Sequence, residues 1–237
     1  MIAVAIDGPA GVGKGTLAKK LAEILRFTYV DTGAMFRAVA YDCMMEGVPL
    51  DSASRVEAAL AYMELSVECR DNTQRVTIRG RDVTDALRTP EISEASSKVA
   101  IIPAVREKLL EMQRNLAAGN NVVMEGRDIG VKVLPHAQVK IYLEAGIDER
   151  TRRRLAERTA MGVVTDSTAI KRELEERDLR DEQREHSPLI RAHDAVLIDS
   201  THMSLQQETE IVLEIIHEKT GGLYGIQNSQ NTGIFTI

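Results

Sequence analysis

The run Gly8-Pro9-Ala10-Gly11-Val12-Gly13-Lys14-Gly15-Thr16 sets four glycines around one lysine, directly after the apolar stretch Ile2 to Ile6. Glycines let successive backbone N–H groups turn toward one anion. A helix starting there adds its positive end, and a lysine adds a mobile cation. The spacing G-x-x-x-x-G-K runs from Gly8 to Lys14, but Gly15 follows where the general phosphate-loop pattern has a hydroxyl. Thr16 brings that hydroxyl one place later. A slack turn is the competing reading. The apolar run before the loop and the helical spacing of Leu17, Leu21, Ile24 and Leu25 after it favour a phosphate cradle. Lys14 then serves the β and γ phosphates, and Thr16 meets a metal ion directly or through water.

Other charged groups are placed for anion chemistry. "VVMEGRD" ends an apolar run in Glu125, Arg127 and Asp128, at the carboxyl edge where open α/β sheets bind ligands. An internal Arg–Asp pair capping a turn is the alternative. In "ERDLRDEQR", Arg177, Asp181 and Arg184 are spaced by four and three, so they share one helix face able to grip a ribose hydroxyl and a phosphate. Arg37 offers a guanidinium fork for two phosphate oxygens, or is a surface arginine on an amphipathic helix. The runs "ERTRRRLAER" and "EERDLRDEQR" suggest local anion sites, but taken alone the favoured reading is a solvated helix face laced by i,i+4 ion pairs.

The elements that must position these groups follow from periodicity. Ile2–Ile6, Thr28–Val30, Asn121–Met124, Val139–Leu143 and Ala195–Ile198 read as strands alternating with amphipathic helices. That order predicts an α/β protein: a parallel five-stranded core sheet between layers of helices. Leu65 to Cys69 and Arg75 to Arg79, split by Asp71-Asn72, predict a β-hairpin within an α+β insert from about residue 50 to 100. Helical patterning resumes over Ile92 to Ala100 and from Pro103 to about Leu116. From Ile147 to about Asp181 the chain is dense in charge, breaks at Gly162, and is expected to stay unburied. Leu205 to Ile216 reads as a closing helix, and the stretch from Gly221 as a mobile tail.

With 237 residues and 43% hydrophobic composition, the chain can bury a sizeable core. Its net charge of -6 argues against a broad nucleic-acid surface. Charges interrupt every apolar run well short of the roughly 20 residues a membrane helix needs. Cys43 and Cys69 lie far apart without metal-ligand spacing, so neither a disulfide framework nor a zinc site is indicated, and a reducing cytoplasm fits.

The Gly-Lys-Gly-Thr loop ending resembles that of nucleoside monophosphate kinases. With "DTGAMFRAVA", "SSKVAIIPAVRE", "EGRDIGVKVLPHAQVKIYLEA" and "ERDLRDEQR", the chain up to about Lys219 resembles the bacterial cytidylate kinase family. That resemblance implies a P-loop three-layer fold with an acceptor-binding insert and a small arginine-rich lid. It implies a core of residues 1–33, 117–149 and 182–220, an acceptor region 34–116, and a lid 150–181. The implied reaction is phosphoryl transfer from ATP with Mg²⁺ to CMP and dCMP, by a cytoplasmic monomer that uses neither nucleic acid nor membrane. Gly8 to Thr16 and Arg150 would bind ATP, and Lys14, Arg127, Arg154 and Arg184 would act in catalysis. Thr32, Arg37, Ser97, Arg106, Arg127, Asp128, Arg177, Asp181 and Arg184 would hold CMP. Ser97 and Arg106 rest on the resemblance alone. Thr32 stands where many relatives have serine, and Glu125 replaces a more usual aspartate. Two rivals remain: a kinase for UMP or AMP, and a P-loop binding module without catalysis.

Overall fold

The computed structural model describes residues 1–70 and 73–222. In chain order the first elements are β1 (Ala3–Asp7), α1 (Lys14–Leu25), β2 (Thr28–Asp31), α2 (Thr32–Met45) and α3 (Ala53–Leu60). An antiparallel unit follows, β3 (Leu65–Arg70), β4 (Thr73–Ile78) and the short β5 (Arg81–Asp82). Then come α4 (Pro90–Val99), α5 (Pro103–Ala117), β6 (Val122–Glu125), a π-helical turn (Ile129–Val133) and β7 (Val139–Glu144). The chain continues through α6 (Ile147–Ala160), α7 (Ser167–Gln183), β8 (Val196–Asp199) and α8 (Leu205–Lys219).

β2-β6-β1-β7-β8 is the spatial order of the main sheet, and every pair is parallel. Such strands are covered on both faces, which is why Val4, Ile6, Val123 and Ile141 are almost wholly apolar runs and almost wholly buried. α1 and α8 cover one face, with Leu17, Leu21, Val212 and Ile216 joining one core with Val4 and Ile141. A second core gathers Met35, Val39, Val56, Val99, Val105 and Leu109 from α2, α3, α4 and α5. Register decides where the charges fall: Glu125 lies beside both Ile6 and Asp31, so β1, β2 and β6 all end in carboxylates along one edge.

The α/β class, the five parallel strands and the hairpin agree with the sequence reading. The turn expected at Asp71-Asn72, and residues 223–237 of the expected tail, lie outside the described residues. One expectation is overturned. The charge-dense segment from Ile147 is not left unburied: Arg150, Arg158, Asp178 and Asp181 are buried, and Ile170 and Leu174 pack on Ala10. Opposite charges far apart in sequence find each other across two helices, as in Arg150–Asp178 and Arg158–Glu173, so burial removes pairs from water rather than lone ions. α3 and the π-helical turn were not read from the sequence at all. No helix among the described residues is long and apolar enough to cross a membrane.

Candidate active site

β1 delivers the chain to Gly8, and α1 begins at Lys14, so the glycine loop joins a strand end to a helix start. Lys14 is buried, and its Nζ donates to the carbonyls of Gly8 at 2.9 Å and Pro9 at 2.7 Å. Burial, followed by the like charge of Arg127, pulls the Lys14 ammonium down to about 7. Gly15 has a local reason to be glycine. A Cβ there would stand 2.8 Å from Glu125 Oε1, a carboxylate that also accepts from the Tyr29 hydroxyl at 3.3 Å. The departure from the general loop pattern thus makes room for Glu125.

The arginine-rich arm grips the loop backbone. The Ala10 N–H donates to Asp178 Oδ1 at 3.1 Å, while Arg150 donates to the Ala10 carbonyl at 3.1 Å and pairs with Asp178. Arg153 donates to the Val12 carbonyl at 2.8 Å and to the Ser200 carbonyl at 2.6 Å. Arg150 therefore sits behind the loop, and the cavity is lined by Arg152, Arg153 and Arg154 instead.

That cavity encloses about 690 Å³. Ala10 to Thr16 form its floor, with Arg37, Arg127, Arg154 and Arg177 facing in, while Met203, Ser204, Leu205 and Glu208 line another part of it. Gly8 and Pro9 do not line it; they hold Lys14 through their carbonyls. Sequence reading placed a closing helix from Leu205 but gave no site role to the 203–208 wall, where the capping box of Ser204 and Gln207 starts that helix.

The remaining expected residues are held in several separate polar pairs. Arg127 Nε donates to Asp181 at 2.9 Å, and Arg184 lies 3.5 Å from the other Asp181 oxygen. Arg106 pairs with Asp128 and lies over the Phe36 ring, 5.3 Å from its centroid. Arg37 pairs with Asp31 at 2.7 Å, and the Thr32 hydroxyl donates to the Glu125 carbonyl at 2.8 Å. Ser97 accepts from Arg180, a residue the sequence reading missed, while its own proton goes to the Glu94 carbonyl at 2.9 Å.

Despite these pairs, Arg37 Nε, Arg106 Nε, Arg177 Nε and Arg184 Nη2 are buried without an acceptor among the described residues, as is Arg158 Nε outside the cavity. Buried donors rarely stay unpaired. Cation crowding points the same way. Burial and then Arg127 lower Arg177 to about 10, and burial and then Arg106 lower Arg184 to about 10. A polyanion entering the cavity would meet Arg37 and Arg177, which line it, and relieve the repulsion on Arg177.

Loop, following helix and facing arginines at the carboxyl edge of a parallel sheet define a P-loop α/β protein built around phosphate. A family model described as cytidylate kinase matches residues 4–218. Curated relatives named cytidylate kinase include one from Geobacillus kaustophilus (strain HTA426), 44% identical over 93% of this chain and 98% of its own length. Others come from Geobacillus sp. (strain WCH70), 42% identical over the same shares, and Syntrophotalea carbinolica, 44% identical over 91% of this chain and 92% of its own. The chain belongs to the cytidylate kinase family.

Proposed function

We propose that the protein transfers the γ-phosphoryl group of ATP to the 5'-phosphate of CMP, and of dCMP, giving ADP and the diphosphate. The carrying observation is the pair of buried arginine nitrogens without acceptors on Arg37 and Arg177, which line the same cavity as the Lys14 loop. One loop serves a donor polyphosphate. A second, separate cation set calls for a second anion, which a simple nucleotide sensor does not need. The relatives' shared name supplies CMP as that second substrate.

In this reading the acceptor phosphate is already anionic, so no general base is required, and catalysis is alignment plus neutralisation of spread charge. Lys14 holds the donor phosphates, and Thr16 with the loop N–H groups completes the cradle. Arg127, Arg177 and Arg184 align the acceptor phosphate, with Asp181 orienting Arg127 and Arg184 and receiving a ribose hydroxyl. Arg154 covers the transferring group. Arg150 acts through Ala10 by holding the loop. Thr32, Arg37, Ser97, Arg106 and Asp128 make the rest of the acceptor site, where a carboxylate accepts from the cytosine amine that uracil lacks. Residues 34–116 are then the acceptor region and 150–181 the lid, whose closure excludes water.

Mg²⁺ accompanies ATP in this scheme, and the residues present fit it. Thr16 and Glu125 both line the cavity, which offers hard oxygen donors there. Among the described residues no group of three or more His, Cys, Asp or Glu could hold a metal ion. When bound, it neutralises charge on the β and γ oxygens. The protein is taken as a cytoplasmic monomer of pyrimidine nucleotide metabolism, acting on free nucleotides.

A panel of CMP, dCMP, UMP and AMP with MgATP, read as ADP production, tests the proposal. CMP and dCMP are expected to be the preferred acceptors. Preference for UMP or AMP overturns the base assignment, and no CMP-dependent ADP overturns the reaction.

A further inference from the structure

Asp7, the last residue of β1, serves two segments at once. Along the chain it launches the glycine loop at Gly8. Through its side chain it accepts the N–H of Ile129 on Oδ1 at 2.8 Å and the N–H of Gly130 on Oδ2 at 2.7 Å, with only 5% of the residue exposed. These are the first residues of the π-helical turn. Their N–H groups have no partner within it, since helical N-termini leave the leading donors unpaired.

The turn follows Arg127 and Asp128 directly. On the other side of that pair, the Gly126 N–H donates to the Ile6 carbonyl at 3.0 Å. Arg127 and Asp128 are thus strung between two anchors, both at the end of β1. One is a backbone bond to Ile6, the other the Asp7 carboxylate. The packing around the second anchor is tight: a Cβ on Gly130 would lie 3.2 Å from Lys140 Cδ and 3.3 Å from Asp7 Oδ2.

We propose that Asp7 is a positioning residue that fixes Arg127 against the Lys14 loop, so that the acceptor phosphate meets the donor phosphates in line. This rests on the acceptor role given to Arg127 above. Nothing in the sequence flags Asp7 for this task, because its partners lie 122 and 123 residues away.

Asp7→Asn tests it. Asn keeps one acceptor oxygen and turns an NH₂ toward the other N–H, so one anchor bond is lost. Because a shift of about 1 Å costs up to roughly a hundredfold in rate, kcat/KM for CMP is expected to fall about 10- to 100-fold while ATP Kd stays within about twofold. In an Arg127→Ala background the same change adds little further loss. Gly130→Ala, which crowds Oδ2 from the turn and keeps the charge, gives the same CMP-selective pattern more weakly, and decides the matter if Asp7→Asn does not fold. Equal losses in ATP affinity and in the CMP parameters, or losses fully additive with Arg127→Ala, overturn the proposal. Wild-type protein without CMP-dependent turnover overturns the functional reading instead, and is seen before any variant is made.

Discussion

The strand-edge half of the site and the arginine-rich arm are held by different forces. Glu125, Gly126 and the glycine loop sit where parallel backbone bonds and apolar packing fix them, with Ile6 beside Glu125 in register. α6 and α7 offer few apolar side chains. Their position depends on Arg150–Asp178, Arg158–Glu173 and the bonds from Arg150 and Arg153 to loop carbonyls. A sheet edge sets positions finely because its alternatives are excluded sterically. Ion pairs can be exchanged for other pairs, so the arm is the half able to change partners when a charged ligand arrives.

Single and paired removals make that contrast measurable. Asp178→Ala strands the Arg150 charge beside Ala10 and is expected to cost about 3–5 kcal/mol in urea unfolding, more than the Arg150→Met, Asp178→Leu double variant. Should the double cost as much as the single, the arm is held by something other than its charges. On the strand-edge side, Lys14→Ala is expected to leave unfolding nearly unchanged while removing about 3 kcal/mol of transition-state stabilisation, read as kcat. Near-normal turnover there would end the role given to the loop.

Smaller effects sharpen the same comparison. Gly15→Ala drives a Cβ toward Glu125 and is expected to cost about 1–3 kcal/mol in stability or kcat/KM. Adding Glu125→Asp, one methylene shorter, is expected to recover part of that loss; no recovery would mean that the close approach is not the cause. In the arm, hydrogen bonds from Arg152 and then Arg153 hold the Glu149 carboxyl down at about 2. A carboxyl with a depressed folded pKa stabilises above its unfolded pKa and loses that contribution as pH falls, here from about 4.5 to about 2. Arg152 is largely exposed and screened, so the contribution stays below about 1 kcal/mol. Glu149→Gln should therefore narrow the gap between Tm at pH 7 and Tm at pH 3, and an unchanged gap would show the pair to be inert.

Legibility in the sequence followed the range of the interactions. The loop was readable because glycine spacing and the following helix are local, and the β3–β4 pairing because alternation in Leu65–Arg70 and Thr73–Ile78 is local too. α3 escaped because only Val56 and Leu60 of its eight residues are buried, too few to mark a face. Burial of Arg150 and Arg158 escaped because hydropathy counts each arginine alone, and their carboxylates lie 28 and 15 residues on. For the same reason Arg180 and Asp7 gave no local signal. Ser97 and Arg106 entered only through resemblance. Ser97 sits in the last turn of α4, and the partner that makes Arg106 more than a surface arginine, Asp128, is 22 residues away.

The pairing of site arginines with carboxylates has a kinetic consequence. Arg37 with Asp31, Arg106 with Asp128 and Arg127 with Asp181 each meet any ligand already neutralised. A phosphate or base edge that enters displaces an internal counterion, and that counterion is waiting to return when the ligand leaves. In the proposed reaction such a site would grip through exchange, and would release a more highly charged product with Arg37, Arg106 and Arg127 paired again.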